Sequence, residues 1–260
     1  VIDTARQLQQ QKMVIVYGHG GEQVQATLTE QADLAWAHQA QQLGTGHALA
    51  QAMPQCVGGI TLMLYGDVPL TRLATIQALL AASANDTLGI LTDILGDASG
   101  YGRIVRAAAG KVTSIVEQKD CTPAQATITE MNTGILALPT KRVAGWLAEL
   151  KNDNAQGEYY ATDLIALAVR DGVAIATVQP QDHWEAEGIN NKLQLAALER
   201  IHQLEIAKTL LSAGVGLADP ARIDVRGTIS HGQDVLIDVG CVFEGEVVLG
   251  RGVSIGANCV

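Results

Sequence analysis

Asp67 is the residue whose setting most needs a chemical explanation. It lies in Leu-Met-Leu-Tyr-Gly-Asp-Val-Pro-Leu (Leu62 to Leu70), where Tyr65, Gly66 and Asp67 end an apolar run before Pro69 stops it. The run reads as a buried strand presenting one acid at its carboxyl end. An acid just past a central parallel strand stands where open α/β sheets place ligands. A lone carboxylate there suits Mg²⁺, which takes few protein oxygens and completes its shell with water and phosphate. Asp67 also reads as the opening of a turn before Pro69, so both a phosphate-handling site and a plain turn stand at this point.

Other stretches carry polar groups in apolar surroundings. Gln39-Ala-Gln-Gln-Leu-Gly44-Thr45-Gly46-His47 joins a strand-like run to a helix-like one. Its glycines let a ligand approach backbone amides, and a helix amino end favours an anion or a polar ring. A glutamine amide, donating and accepting at once, matches the edge of uracil. The same turn also reads as an ordinary helix start. Gly18-His19-Gly20-Gly21 lacks the spacing of a dinucleotide fingerprint and is read as a turn.

Gly100-Tyr101-Gly102-Arg103, Glu117 with Lys119, Glu130 to Gly134, and Gly157 to Asp163 together suit a hydroxyl-rich ligand such as a sugar. Glu117 would accept hydrogen bonds, Asn132 would donate and accept, and Gly102 would let an amide reach the ligand. Singly, each has a structural reading: Asn132 as a turn residue, Tyr160 as a core aromatic with a wet hydroxyl, Glu117 as a strand-end charge. Asn190, in Glu187-Gly188-Ile189-Asn190-Asn191, reads either as a helix cap or as a neutral oxygen ligand completing a metal site begun at Asp67.

These residues need a scaffold, and the hydrophobic pattern supplies one. Strand-like runs at Met13 to Tyr17, Leu34 to Ala37, Ile60 to Tyr65 and Thr87 to Thr92 alternate with helix-like runs at Ile2 to Gln11, Glu22 to Thr29, His47 to Met53 and Leu73 to Ala82. The alternation predicts an α/β domain with a doubly wound, mostly parallel sheet. Arg103 to Ala107 and Lys111 to Gln118 form a hairpin about Ala109-Gly110, and Asn132 to Leu138 returns as a buried strand, so the sheet is mixed. From Asn191 to Leu211 the positions Leu193, Ala197, Ile201, Leu204, Ala207 and Leu211 predict the apolar face of a long connector helix.

Composition changes after Asp219-Pro220, which predicts a domain boundary near residue 220. Beyond it, Ile237, Phe243, Leu249 and Ile255 recur every six residues, as do Val235, Cys241, Val247, Val253 and Cys259. A six-residue repeat with inward aliphatics is the parallel β-helix pattern, and so short an array is expected to continue or to be covered.

Composition also excludes partners. The 260 residues carry a net charge of -10, which argues against nucleic acid and anionic membrane surfaces. Cys56, Cys121, Cys241 and Cys259 form no C-x-x-C pair, the usage of reduced cytosolic thiols rather than of a zinc site. No run reaches the roughly 18 to 20 apolar residues of a membrane helix. The chain opens at Val1 straight into a helix-like run, and its natural amino terminus is expected upstream.

In order, Gln39 to Ala48, Leu62 to Leu70, Gly100 to Ile104, Ile115 to Asp120, Met131 to Ile135, Asn154 to Asp163 and Glu187 to Leu193, followed by the hexapeptide repeat, closely resemble the bacterial bifunctional N-acetylglucosamine-1-phosphate uridyltransferase/glucosamine-1-phosphate acetyltransferase family. The resemblance implies a Rossmann-like nucleotide-diphospho-sugar transferase domain over 1–190, a connector over 191–220 and the start of a left-handed parallel β-helix over 221–260. It implies Mg²⁺-dependent joining of UTP and N-acetylglucosamine 1-phosphate to give UDP-N-acetylglucosamine for the cell envelope, peptidoglycan and lipopolysaccharide included. By the same resemblance Gln39, Gly44 and Thr45 would hold the uracil; Tyr65, Gly102, Glu117, Asn132, Tyr160 and Thr162 would line the sugar side; Asp67 and Asn190 would bind Mg²⁺. A cytoplasmic homotrimer is implied for the full-length protein.

The family carries a Gly-rich phosphate loop with an arginine, and then a lysine, ahead of the point where this chain opens, and its acetyltransferase residues lie beyond Val260. The chain is therefore expected to be nearly inactive in uridyl transfer and to lack acetyl transfer. Three rival readings stand beside this one: a sugar-1-phosphate nucleotidyltransferase of other specificity, a non-catalytic nucleotide-sugar-binding subunit, and an acyltransferase defined by the β-helix alone, which would need further coils.

Overall fold

Most of the apolar runs become strands and most of the helix-like runs helices, but the helix expected at Ile2 to Gln11 ends at Arg6. The structure, a computed structural model, describes residues 1–28 and 31–260. The chain divides into two compact units, Val1–Glu187 and Gly188–Val260.

In the first unit the order is α1 (Ile2–Arg6), β1 (Met13–Tyr17), α2 (Glu22–Thr27), β2 (Leu34–His38), α3 (Thr45–Ala52), β3 (Ile60–Met63), α4 (Leu73–Ala82), β4 (Leu88–Ile94), β5 (Gly102–Arg106), β6 (Val112–Val116), α5 (Pro123–Ala126), β7 (Glu130–Pro139), α6 (Thr140–Glu149), α7 (Asp163–Arg170) and β8 (Ile175–Val178). The helix expected at Glu22 to Thr29 is found to Thr27, and the last residue of that expectation lies outside the described residues. β1 and β2 pair in parallel, and a six-stranded sheet runs β6-β5-β7-β4-β8 with β3 also on β7.

The sheet is mixed because β7 runs against its neighbours β3, β4 and β5, while β4 and β8 are parallel. This corrects one expectation. The strand ending at Asp67 is not a central strand flanked by parallel partners, since β3 pairs antiparallel with β7, Ile60 opposite Pro139 and Met63 opposite Leu136. Between Ile90 and Thr92 of β4 the partner β7 runs from Leu136 back to Asn132, a bulge of the kind that re-aims side chains beside functional sites.

Alternation along β4 and β7 buries both faces. Leu88, Ile90, Leu136 and Leu138 pack with Val143, Trp146, Leu164 and Ile165 of α6 and α7. Leu91, Ile135 and Ala137 pack with Leu79 of α4 on the other side. Each such aliphatic contributes about 1.5–3 kcal/mol by leaving water, enough collectively to hold the strand ends and their loops in place.

The second unit begins with α8 (Lys192–Ser212), followed by β9 (Gly216–Leu217), β10 (Ile223–His231), β11 (Leu236–Ile237), β12 (Cys241–Leu249) and β13 (Ser254–Ile255). Asn191, not Asn190, caps α8, its Oδ1 accepting from the Gln194 amide at 3.0 Å. The expected apolar face of this helix is found in part, with Ala207 buried and Ile201 and Leu204 half-buried. Leu193 is 81% exposed and Leu211 lies at the surface, while the buried positions are Leu198, Gln203, Ala207 and Leu210. Gln203 explains the shift: its amide donates to the Val225 carbonyl at 3.0 Å and accepts from the Val225 amide at 2.7 Å, so α8 docks on β10 through a polar residue that an apolar pattern passes over.

Beyond α8 the strands stack in parallel. Ile223 lies opposite Cys241 and Leu236 opposite Ser254, each eighteen residues apart, which is three of the six-residue repeats. As far as Ile255 both apolar columns are buried or half-buried, with Val235, Ile237, Cys241, Phe243 and Leu249 buried in one cluster, while Cys259 at the end of one column is exposed. At the middle of β10, Gly227 pairs with Gly245 so closely that a Cβ on Gly227 would stand 2.0 Å from the Gly245 carbonyl oxygen. Gly227→Ala is therefore expected to lower stability by about 3 kcal/mol in urea denaturation followed by circular dichroism, the cost of overpacking a rigid backbone contact.

Candidate functional site

The turn after β2 is built around Gly44. Its φ of 105° is open to glycine and costly for other residues, and a Cβ there would stand 2.6 Å from the Tyr159 carbonyl oxygen. That closeness seats the turn against Glu158–Ala161. The Gly46 amide donates to the Tyr159 carbonyl at 2.7 Å, the Tyr159 amide to the Leu43 carbonyl at 2.8 Å, and the Ala161 amide to Thr45 Oγ1 at 3.0 Å. Gln39 is buried, and its Nε2 donates to the Gly44 carbonyl at 3.1 Å while meeting His47 Nδ1 at 3.0 Å. The donor half of this amide is thus committed to bracing the turn, which leaves Oε1 as the group open to a ligand.

Tyr65 follows β3 and packs against Gly134, where a Cβ would meet the ring at 2.6 Å. Burial, with Glu117 and Asp67 nearby, pushes the phenol up to about 12, against a lowering hydrogen bond from Thr45. Gly102 pairs with Asn132 across β5 and β7, and the Glu117 carboxylate passes 3.3 Å from where a Gly102 Cβ would be. Asn132, beside the β7 bulge, accepts from the Gly134 amide at 3.1 Å, as a turn residue does.

Thr162 stands at the start of α7 but forgoes the capping role open to a threonine there. Its hydroxyl instead donates to Glu117 Oε1 at 2.9 Å. Burial pushes the Glu117 carboxyl up, partly offset by that hydrogen bond. Tyr160 is buried, and its hydroxyl accepts from Gln156 Nε2 at 3.0 Å. The first unit therefore brings Gln39, Gly44, Thr45, Tyr65, Gly102, Glu117, Asn132, Tyr160 and Thr162 onto one continuous set of contacts, a surface that pairs amide and hydroxyl donors with a half-buried acid.

Asp67 lies two residues past Tyr65, exposed, with no hydrogen bond or ion pair among the described residues. Among those residues no three His, Cys, Asp or Glu side chains gather as a metal site. A single solvated carboxylate at a strand end fits a cation that takes most of its oxygens from water and phosphate. Asn190 belongs to the second unit, where its amide donates to Gln194 Oε1 at 2.7 Å and its side chain is exposed.

Asp163, in the first turn of α7, was not singled out by residue type. Burial together with Glu117, Asp120 and Asp153 raises its carboxyl to about 6. An acid raised in the folded state binds its proton more tightly there than in the unfolded chain, so the protein loses stability as pH climbs from about 4 to about 6. Asp163→Asn is expected to add about 1 kcal/mol at pH 8 and almost nothing at pH 4, after allowance for solvent screening and a small loss at the helix dipole. Thermal melts of both proteins at the two pH values check this.

No helix among the described residues is long and apolar enough to cross a membrane. No family model matches the chain. Among solved structures, UDP-glucose pyrophosphorylase complexed with UDP-glucose superposes with a TM-score of 0.58 at 14% identity, over 72% of this chain and 80% of that one. The apo form of UDP-glucose pyrophosphorylase gives 0.57 at 13% identity. These two likenesses are of fold. Similarity to curated proteins is much higher: 60% identity to the Bifunctional protein GlmU of Dechloromonas aromatica, 60% to that of Chromobacterium violaceum and 58% to that of Burkholderia multivorans, each along 100% of this chain and 57% of the relative. The chain thus spans little more than half the length of these relatives, and along all of its own length it is similar to proteins of the bifunctional GlmU family.

Proposed function

We propose that the protein of which this chain is part joins UTP to N-acetylglucosamine 1-phosphate, giving UDP-N-acetylglucosamine and pyrophosphate, in a Mg²⁺-dependent reaction in the cytoplasm. The observation that carries the reading is the Gly44 turn seated on Tyr159–Ala161, with the Glu117–Thr162 pair and Tyr65 beside it. Gln39 Oε1 and the backbone around Gly44 and Thr45 would meet the pyrimidine. Tyr65, Gly102, Glu117, Asn132, Tyr160 and Thr162 would meet the sugar, with Glu117 accepting from a sugar hydroxyl or the acetamido N–H. Asp67 would hold the cation, with Asn190 as the second ligand that the family resemblance gives.

The sugar-phosphate oxygen attacks the α-phosphorus in line and pyrophosphate leaves, so no protein nucleophile takes part. When bound, Mg²⁺ neutralises charge on the transferring phosphate. The chain's own residues supply alignment: one wall fixes the base and the other the sugar, which holds attacking oxygen and phosphorus within reach of each other. In the same reading, residues 1–190 form the uridyltransferase domain, 191–220 the connector and 221–260 the first coils of a left-handed β-helix that assembles the full-length protein as a trimer.

Two measurements test this. Calorimetry with the chain and Mg²⁺ is expected to show UDP-N-acetylglucosamine binding about tenfold more tightly than UDP-glucose, the net worth of about one further hydrogen bond to the acetamido group. Preference for UDP-glucose would favour the other-specificity reading, which the fold likeness to UDP-glucose pyrophosphorylase motivates. Pyrophosphate release from UTP and N-acetylglucosamine 1-phosphate by the full-length protein is the second; binding without release would make it a nucleotide-sugar-binding subunit.

A further inference from the structure

Glu185 is 0% exposed, and the proposed reaction gives it no task. Its two carboxylate oxygens accept from Thr75 Oγ1 at 2.5 Å, the Arg72 amide at 3.2 Å, the Gln181 amide at 3.1 Å, the Asp182 amide at 3.3 Å and Arg72 Nη1 at 3.5 Å. Its backbone carbonyl accepts from Thr71 Oγ1 at 2.8 Å. Arg72 reinforces the junction, with Nη1 at 2.6 Å from Asp182 and the guanidinium 4.5 Å above the Trp184 ring. Burying a carboxylate is expensive unless donors surround it, and here donors come from two segments far apart in sequence.

The placement of those segments gives the junction its meaning. Thr71–Thr75 leads into α4 and begins four residues after Asp67, with buried Val68 between them packed against Leu79 of α4. The Asp67 turn is therefore held between Tyr65 on one side and an anchored helix start on the other. A Gln at 185 would turn an –NH₂ toward donors already pointing at it and loosen that anchor.

We infer that Glu185 is a positioning residue for the cation: by fixing the start of α4 on Gln181–Glu185 it sets the place of the Asp67 carboxylate. The inference rests on the proposed role of Asp67 as a cation ligand. Outer-shell groups of this kind hold a ligand in the orientation that its metal requires.

The test uses the whole chain and Mn²⁺ as probe. Electron paramagnetic resonance counts free Mn²⁺ with UDP-N-acetylglucosamine present, calorimetry in EDTA reads affinity for the nucleotide sugar alone, and near-UV circular dichroism reports folding. Glu185→Gln is expected to weaken Mn²⁺ about tenfold while metal-free nucleotide-sugar affinity stays within about twofold, the lower end of what outer-shell partners supply. Thr75→Val removes one donor, disturbs the fold less, and is expected to weaken Mn²⁺ about threefold. Unchanged Mn²⁺ affinity in the folded variants, or equal losses with and without metal, overturns the assignment. If Glu185→Gln does not fold, Thr75→Val decides by the same criteria. Asp67→Asn separates the two ideas: if it leaves Mn²⁺ affinity unchanged, the cation reading itself fails, whereas loss at Asp67 without loss at Glu185 or Thr75 removes only the positioning role.

Discussion

Replacing Asp67 with asparagine should remove nearly all metal-dependent binding while leaving the fold untouched. The side chain is exposed and makes no hydrogen bond or ion pair among the described residues, so stability should change by no more than about 0.5 kcal/mol, as at an ordinary surface position. Asparagine keeps the shape and one oxygen but loses the charge, which is what a hard divalent cation answers to. With no other acid gathered into a cluster there, the loss in Mn²⁺ affinity should reach about a hundredfold or more, beyond the range of outer-shell effects. An affinity within a few-fold of the parent chain would place the cation elsewhere.

The order of elements was legible because burial on both faces leaves a plain signature. β4 and β7 read as apolar runs, and Leu73–Ala82 has the bounds its period predicts. Strand direction was legible at the β5–β6 hairpin but not at β3. Nothing in Leu62 to Leu70 says that β3 pairs antiparallel with β7, since an apolar run carries no record of its neighbour's polarity. The six-residue columns were legible for the opposite reason: a repeat fixes both period and partner, and the eighteen-residue step between stacked strands follows from it.

Within the site, the residues legible in sequence were those on glycine-rich turns, where side-chain type and backbone freedom coincide. The polar residues that do their work in the interior were not. Gln203 and Glu185 look like surface residues, because the donors and acceptors that make their burial tolerable come from Val225 in one case and from Thr71–Thr75 in the other. The raised acid at Asp163 depends likewise on Glu117, Asp120 and Asp153, three carboxyls that only the fold brings near it. Local pattern reports what a segment prefers; it does not report what arrives from a hundred residues away.

Gly44→Ala should be damaging both to the fold of the first unit and to its proposed nucleotide wall. At φ 105° and ψ 177° an alanine is strained by about 1–3 kcal/mol before any contact is considered. Its Cβ would also stand 2.6 Å from the Tyr159 carbonyl oxygen, 2.9 Å from Glu158 Cβ and 3.0 Å from the Tyr159 amide nitrogen. Relief requires the turn to lift off, which breaks the backbone bonds from Gly46 to Tyr159 and from Tyr159 to Leu43 and releases Thr45 from Ala161. Buried polar groups left without partners add a further 1–3 kcal/mol or so. Urea denaturation should therefore show a loss of about 2–6 kcal/mol, summing strain and lost hydrogen bonds. Affinity for UDP-N-acetylglucosamine should fall about a hundredfold, because the wall proposed for the pyrimidine moves. Gly100→Ala supplies the control: φ is 91° there too, but no atom lies within 4 Å of the added methyl, so only the strain remains. If the two variants lose the same stability and both keep their affinity, the Gly44 turn is a helix start and nothing more, and the pyrimidine wall must be sought elsewhere on the first unit.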